Sequence, residues 1–211
     1  MCFSASASFT ASGGLAIIGT LSLFIAPKRL KLLACTPLVF SLQQAIEGLI
    51  WIFHNTRPSI ATSASYAFCI IALIWWPLWF SSVFLYRGEK NRVRKTGLWI
   101  TFCTGLFLSA FNTWFLISKG IHPEMSAHII YGINPPILQF FNYLFYPIST
   151  IGPFLLTSER FMWILAIVFS LTYIVTSKWF PFHITSVWCF FSAVASSAIL
   201  SLVVIANRKS H

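Results

Sequence analysis

One strongly apolar segment of the sequence carries a stripe of polar side chains that includes an acid. At about 100° of turn per helical residue, an arc of about 100° on this helix holds Gln43, Gln44, Glu47, Trp51 and His54. Glu47 is the one acid inside any of the long apolar segments. A charged group inside a membrane helix is costly and usually faces protein or water. The stripe therefore indicates either hydrogen-bonded packing between helices or the wall of a binding pocket or proton path.

A second polar face follows in a later apolar segment. Asn142 and Tyr146 lie four residues apart, so they share one face of a helix. We expect this face to meet the stripe on Glu47 and to complete an outward-facing pocket. Such a pocket predicts small-ligand binding, or transport of a small solute or a proton.

Histidines offer a different chemistry, because imidazole is a good ligand for zinc, copper and haem iron. The candidate metal ligands are His54, His122, His128 and His183. All four fall on one predicted side of the membrane, but their spacing matches no H-E-x-x-H or C-x-x-C motif. A metal- or haem-dependent membrane enzyme is thus a second hypothesis, with the identity of any cofactor unknown. A structural subunit of a membrane complex, packed through stripes of small residues, is a third.

The elements that must position these residues are transmembrane helices. The chain has 211 residues, of which 57% are hydrophobic and 9% are charged, whereas a soluble domain carries about 25% charged residues. This excess excludes the water-soluble globular classes. The sequence contains no Asp, which excludes catalysis by an Asp pair.

Seven apolar segments are long enough to approach the roughly 20 residues that a membrane helix needs. They are Ser8–Ala26, Leu32–Asn55, Ser63–Tyr86, Thr96–Ser118, Pro136–Ser158, Phe161–Thr176 and Thr185–Asn207. The sixth is the shortest, and Pro77 predicts a kink in the third. The sequence therefore predicts an all-α, polytopic membrane protein with a single seven-helix domain over residues 1–211.

The distribution of basic residues predicts the orientation. The connections after the first, third, fifth and seventh segments hold eleven of the fourteen Lys and Arg residues. They are Lys28, Arg29, Lys31, Arg87, Lys90, Arg92, Arg94, Lys95, Arg160, Arg208 and Lys209. By the positive-inside rule this places the N-terminus outside and the C-terminus in the cytoplasm. Membrane orientation and contact with the lipid bilayer then account for the net charge of +10. No nucleic-acid partner is predicted.

The chain begins Met1-Cys2-Phe3-Ser4-Ala5. We expect Met1 to be removed, because the next residue is small, leaving Cys2 on the outer side.

This beginning, together with Gln43-Gln44-x-x-Glu47-Gly48-x-x-Trp51, resembles a family of small bacterial multi-pass membrane proteins of unknown function. The resemblance implies location in the bacterial inner (cytoplasmic) membrane and implies no activity. It also singles out the stripe on the second helix.

Overall fold

Helices form most of the chain that the computed structural model describes, which is residues 4–125, 129–131, 136–158, 160–181 and 183–208. The first half comprises α1 (Ala5–Ile25), a 3-10 turn (Lys28–Leu30), α2 (Lys31–Ala34), α3 (Thr36–Phe53), α4 (Pro58–Cys69), a π-helix (Ile70–Trp75), α5 (Trp76–Tyr86) and α6 (Arg92–Lys119). The second half comprises a small antiparallel hairpin, β1 (Glu124–Met125) with β2 (Ile129–Ile130), then α7 (Pro136–Thr150), α8 (Gly152–Leu155), α9 (Arg160–Trp179), α10 (Ile184–Ser196) and α11 (Ala198–Arg208).

Six helical runs within the described residues are long and apolar enough to cross a membrane. They are Ala5–Ile25, Lys28–Phe53, Pro58–Tyr86, Arg92–Lys119, Phe161–Trp179 and Ile184–Ile205. Local signals set several of their ends: the Ser4 and Asn91 side chains cap α1 and α6, and Gly120, with φ of +73°, ends α6.

The fifth predicted segment, Pro136–Ser158, is not one continuous helix, which corrects the sequence prediction. It is α7, of 15 residues, followed by a break at Ile151 and the short α8. Pro147 and Pro153 explain the interruption, because neither has an N–H to donate to the carbonyl four residues earlier. The sixth segment, by contrast, forms the 20-residue α9 and is longer than the sequence predicts.

The third membrane-spanning run, Pro58–Tyr86, is called the third helix below and comprises α4, the π-helix and α5. It changes to a π-helix just before Pro77. Pro77 cannot donate to the carbonyl of Leu73, and the side-chain amide of Asn112 in α6 donates to it instead at 2.9 Å. The predicted kink thus takes the form of a π-segment, held by side chains of neighbouring helices.

Two more side chains complete this arrangement. The hydroxyl of Ser109 in α6 donates to the carbonyl of Ile74 at 2.8 Å. The phenol of Tyr146 in α7 donates to the carbonyl of Ala72. Both carbonyls belong to the π-segment, so α6 and α7 are anchored to the third helix through its backbone.

Apolar side chains cover the outside of the bundle and polar ones lie within it. Phe24 and Ile117 are 83% and 81% exposed, whereas Gln43, Gln44 and Glu47 are fully buried. A soluble protein shows the opposite tendency. This distribution fits helices in contact with lipid, and the chain is a multi-pass membrane protein.

The two ends of the bundle differ in character. One end, which we call the basic end, comprises residues 26–31, 86–95 and 156–158. There the Ser158 hydroxyl donates to the Glu89 carboxylate at 3.0 Å and accepts from Arg94 at 2.6 Å. At the opposite end, the hairpin end, the backbone N–H of Ile121 donates to the Tyr66 hydroxyl at 3.2 Å. Tyr131, just after the hairpin, stacks on Phe68 with ring centroids 4.9 Å apart.

Candidate functional site

Glu47 lies at the centre of a buried hydrogen-bonding group. One carboxyl oxygen accepts from the Ser186 hydroxyl in α10, and the other accepts from the Gln44 amide at 3.1 Å. These partners are neutral, and the carboxyl group is fully buried. The contact with Ser186 ties α3 to α10.

The rest of the stripe on α3 contacts the third helix. The indole N–H of Trp76 donates to the Gln43 side-chain oxygen at 2.7 Å, and that of Trp79 donates to Thr36 at 3.0 Å. The ring of Phe40 stacks on Trp76 with centroids 4.0 Å apart. The stripe is therefore a contact surface with α5 and α10.

Two predicted members of the stripe lie closer to the hairpin end. Trp51 is half-buried, and its indole nitrogen is buried with no hydrogen-bond partner among the described residues. His54 follows the last residue of α3 and is half-buried. Neither contacts the Glu47 carboxyl through a hydrogen bond within the described residues.

Asn142 and Tyr146 lie on α7 but make their hydrogen bonds to other helices than α3. Asn142 and Asn112 exchange amide hydrogen bonds of 2.9 and 3.1 Å. Tyr146 donates to the π-segment, as described above. The structure thus places these two residues against the third helix and α6, while Glu47 bonds to α10.

A cavity of about 410 Å³ lies beside these contacts, toward the hairpin end. It is bounded by the third helix, the segment after the hairpin, α7, α9 and the start of α10. The lining comprises Cys69, Leu73, Ile129, Tyr131, Pro136, Leu138, Gln139, Phe140, Asn142, Tyr143, Tyr146, Tyr173, Ser177, Pro181, His183, Ile184, Thr185, Trp188 and Cys189. Among the predicted site residues, Asn142, Tyr146 and His183 line it. Gln43, Gln44, Glu47, Trp51 and His54 do not.

The Glu47 group lies directly behind one wall of this cavity. Ser186, which binds Glu47, follows the lining residue Thr185 and precedes the lining residue Cys189 by less than one helical turn. Burial, and then the nearness of Glu47, raise the pKa of Tyr131 well above its ordinary value. The Tyr131 hydroxyl is buried with no hydrogen-bond partner among the described residues.

Aromatic side chains form much of the cavity wall, and of these the sequence singled out only Tyr146. Trp188 makes edge-to-face contacts with Tyr146 and Tyr173, at centroid distances of 5.3 and 5.6 Å. Hydropathy does not distinguish an aromatic ring that faces a cavity from one that faces lipid. Only the polar face of α7 pointed to this region.

The candidate metal ligands are dispersed in the part of the chain that the structure describes. No three His, Cys or Glu side chains come together there. His122 is exposed, and His183 lies at the cavity, where burial lowers its pKa. His128 and Cys2 lie outside the described residues, so their part in the metal hypothesis stays a prediction.

Comparison with known proteins identifies a family and nothing more specific. No curated protein and no solved structure gives a significant match. A family model described as a family of unknown function, DUF6629, matches residues 1–211. This confirms the resemblance to an uncharacterised family, and the chain belongs to the family of unknown function DUF6629.

Proposed function

We propose that this membrane protein binds a small molecule in the cavity between α7, α9 and α10. The observation that carries the proposal is the cavity itself. Its volume of about 410 Å³ lies within the range of about 300–1,000 Å³ that small-molecule sites occupy. Its wall combines aromatic rings with a few polar groups, as such sites do.

Three polar side chains of the lining are suited to contact a ligand, because hydrogen bonds among the described residues leave part of their donor and acceptor capacity unused. The Tyr131 hydroxyl has no partner among the described residues. Gln139 and Thr185 line the cavity at its hairpin end. Asn142 adds an amide that Asn112 holds in a fixed orientation.

In this proposal Glu47 positions the wall and does not touch the ligand. Its hydrogen bond to Ser186 fixes the first turns of α10, from which His183, Thr185, Trp188 and Cys189 reach the cavity. The polar stripe of α3 and the pocket are then two layers of one site.

We further propose seven membrane crossings, with the N-terminus and the hairpin end outside and the basic end in the cytoplasm. The broken fifth segment supports the seventh crossing, because Pro136 lines the cavity at the hairpin end while Ser158 bonds to Glu89 at the basic end. Its 20 residues from α7 to the end of α8 match the thickness of a bilayer core. The positive-inside rule supports this orientation, and the resemblance to small bacterial multi-pass membrane proteins favours the cytoplasmic membrane of a bacterium as the location.

The test is recovery of a bound compound. The wild-type protein, purified in lipid nanodiscs, is extracted with organic solvent and with water, and both extracts are compared by mass spectrometry with those of Ser177→Trp and Gln139→Trp. Both substitutions place an indole in the cavity. Ser201→Trp is the matched control, because Ser201 is an exposed helical serine outside the lining. We expect a compound that the wild type and the control retain and both cavity variants lose; equal recovery from all four proteins would contradict the proposal.

Proton-coupled transport is the second candidate, favoured by the position of Glu47 next to the cavity wall. It requires proton passage between the carboxyl group and the cavity, for which the Tyr131 hydroxyl, unpartnered among the described residues, is a candidate relay. Proteoliposomes with an internal pH dye test it: proton uptake by the wild type that Glu47→Gln and Tyr131→Phe both abolish supports transport. Uptake that neither substitution changes contradicts it.

A further inference from the structure

The cavity opens through the side of the helix bundle. Phe140 and Tyr143 both line it, yet each is 62% exposed. Tyr143 lies midway along α7 (Pro136–Thr150). The opening is therefore on the flank of the bundle, where the surrounding surface is apolar.

This opening lies between α7 and α9, which both line the cavity. α7 packs against α5 and α6, whereas α9 packs against α8 and α10, and contacts between α7 and α9 themselves are sparse. They are joined at the basic end through α8, and residues of both helices line the cavity toward the hairpin end. Among the described residues, the Tyr173 hydroxyl donates to the backbone carbonyl of Tyr143 at 3.1 Å, and the rings of these two residues lie 6.1 Å apart.

Pro147 favours this hydrogen bond. Pro147 has no N–H to donate to the carbonyl of Tyr143, so the carbonyl is available to accept from α9. A typical hydrogen bond contributes only about 0.5–1.5 kcal/mol net, and the ring contact beside it is between half-buried or exposed side chains. A contact of this strength can break and re-form as a molecule passes between the two helices.

The chemistry of the lining changes along the cavity. Neutral polar groups lie toward the hairpin end, on Ser177, His183 and Thr185. Apolar and aromatic groups lie deeper, on Leu73 and Trp188, beside the amide of Asn142, which is hydrogen-bonded to Asn112. Among the described residues the lining holds no Lys, Arg or Glu, and burial lowers the pKa of its one histidine.

From this geometry we infer that the ligand is an uncharged single-chain amphiphile that enters from the membrane between α7 and α9. Its polar head, of the hydroxyl, ester or amide type, lies at the hairpin end, and its hydrocarbon chain lies against Leu73 and Trp188. A volume of about 410 Å³ is at the lower end of the usual range, which favours one chain over two. This inference rests on the proposed binding function and names the chemical class of the ligand.

The experiment uses the full chain in phosphatidylcholine nanodiscs and a photoreactive probe. The probe is monooleoylglycerol with a diazirine in its acyl chain, and adducts are located by mass spectrometry. Unlabelled monooleoylglycerol, oleate and glycerol are the three competitors, which respectively supply the whole amphiphile, the chain with an anionic head, and the head alone. Random labelling from the bilayer is recognised because no competitor removes it.

We expect competable adducts on cavity residues of α7, α9 and α10, removed by monooleoylglycerol but not by glycerol and less effectively by oleate. Ser177→Trp and Gln139→Trp should lose these adducts, and Ser201→Trp should keep them. Adducts spread over the lipid-facing surface that no competitor removes would overturn the inference, and so would competition by glycerol equal to that of the amphiphile.

Failure of this inference is distinguishable from failure of the proposed function. If the extracts contain a water-soluble compound that only the cavity variants lose, and the probe does not enter, then the cavity binds a ligand from water and the amphiphile is wrong. If the extracts of all proteins are alike and the probe labels no cavity residue, both proposals are wrong.

Discussion

Replacement of Glu47 by Leu, compared with its replacement by Gln, tests whether the buried carboxyl group serves as a neutral hydrogen-bonding centre. Glu47→Leu removes the acceptor for two buried donors, the Ser186 hydroxyl and the Gln44 amide. A buried polar group left without a partner costs about 1–3 kcal/mol. We expect Glu47→Leu to lower the free energy of unfolding by about that amount for each of the two groups.

Glu47→Gln should be close to neutral, for a geometric reason. Its side-chain oxygen can still accept from Ser186, and its amide nitrogen then faces Gln44. The Gln44 oxygen is buried without a partner among the described residues, so rotation of the Gln44 amide by half a turn restores an N–H···O bond. The variant keeps both contacts.

The assay is thermal unfolding in nanodiscs, followed by circular dichroism. For a chain of this size, 1 kcal/mol corresponds to about 2–4 °C in Tm, so the Leu variant should unfold several degrees below both the wild type and the Gln variant. Stabilisation by both substitutions would refute the reasoning. Removing an uncompensated buried charge relieves several kcal/mol, and that result would show that Glu47 is ionised in the folded protein.

Two other predictions concern the bundle outside the cavity. Gly105→Ala should destabilise the protein by about 1–3 kcal/mol or more, because the new Cβ would lie 2.1 Å from the backbone oxygen of Pro77. Gly14→Ala is the matched control, because a Cβ at Gly14 meets nothing within 4 Å. A Tm for Gly105→Ala at or above that of the control would contradict the close approach of the two helices. The second prediction concerns Glu89. Slight burial raises its pKa, but hydrogen bonds, including that from Ser158, outweigh this effect and hold the pKa below its ordinary value of 4.5. The bonds to Glu89 therefore contribute stability above about pH 5 that is lost as the pH falls through the depressed pKa. Unfolding measured from pH 7 to pH 3 should show Glu89→Gln less stable than the wild type at pH 7 and equal to it at the acid end, and a constant difference over this range would contradict the prediction.

The sequence predicted the helices better than their partners. Apolar length and the periodicity of polar residues were sufficient to find the stripe on α3, because both are local properties of one helix. Which helix the stripe contacts depends on packing between distant segments, and here Ser186, in an unremarkable row of small residues, is the partner of Glu47. The cavity was not predictable either, since its wall is assembled from several segments that are distant in the sequence.

The roles of the polar residues on α6, α7 and α9 follow from a constraint that the membrane imposes. Every backbone carbonyl in the apolar region needs a donor, and a proline within a helix leaves one without its usual N–H. Pro77 leaves the carbonyl of Leu73 to Asn112, and Pro147 leaves that of Tyr143 to Tyr173.

Polar side chains in these helices thus divide into two groups. Those that satisfy the backbone, such as Asn112 and Tyr146, shape the cavity and are already occupied. Those that line it without bonding to the backbone, above all Tyr131, whose hydroxyl has no partner among the described residues, are the groups a ligand can bind. Substitution in the first group should change stability before it changes binding. Tyr131→Phe should weaken binding while leaving Tm within a few degrees, because the hydroxyl that it removes bonds to no described residue.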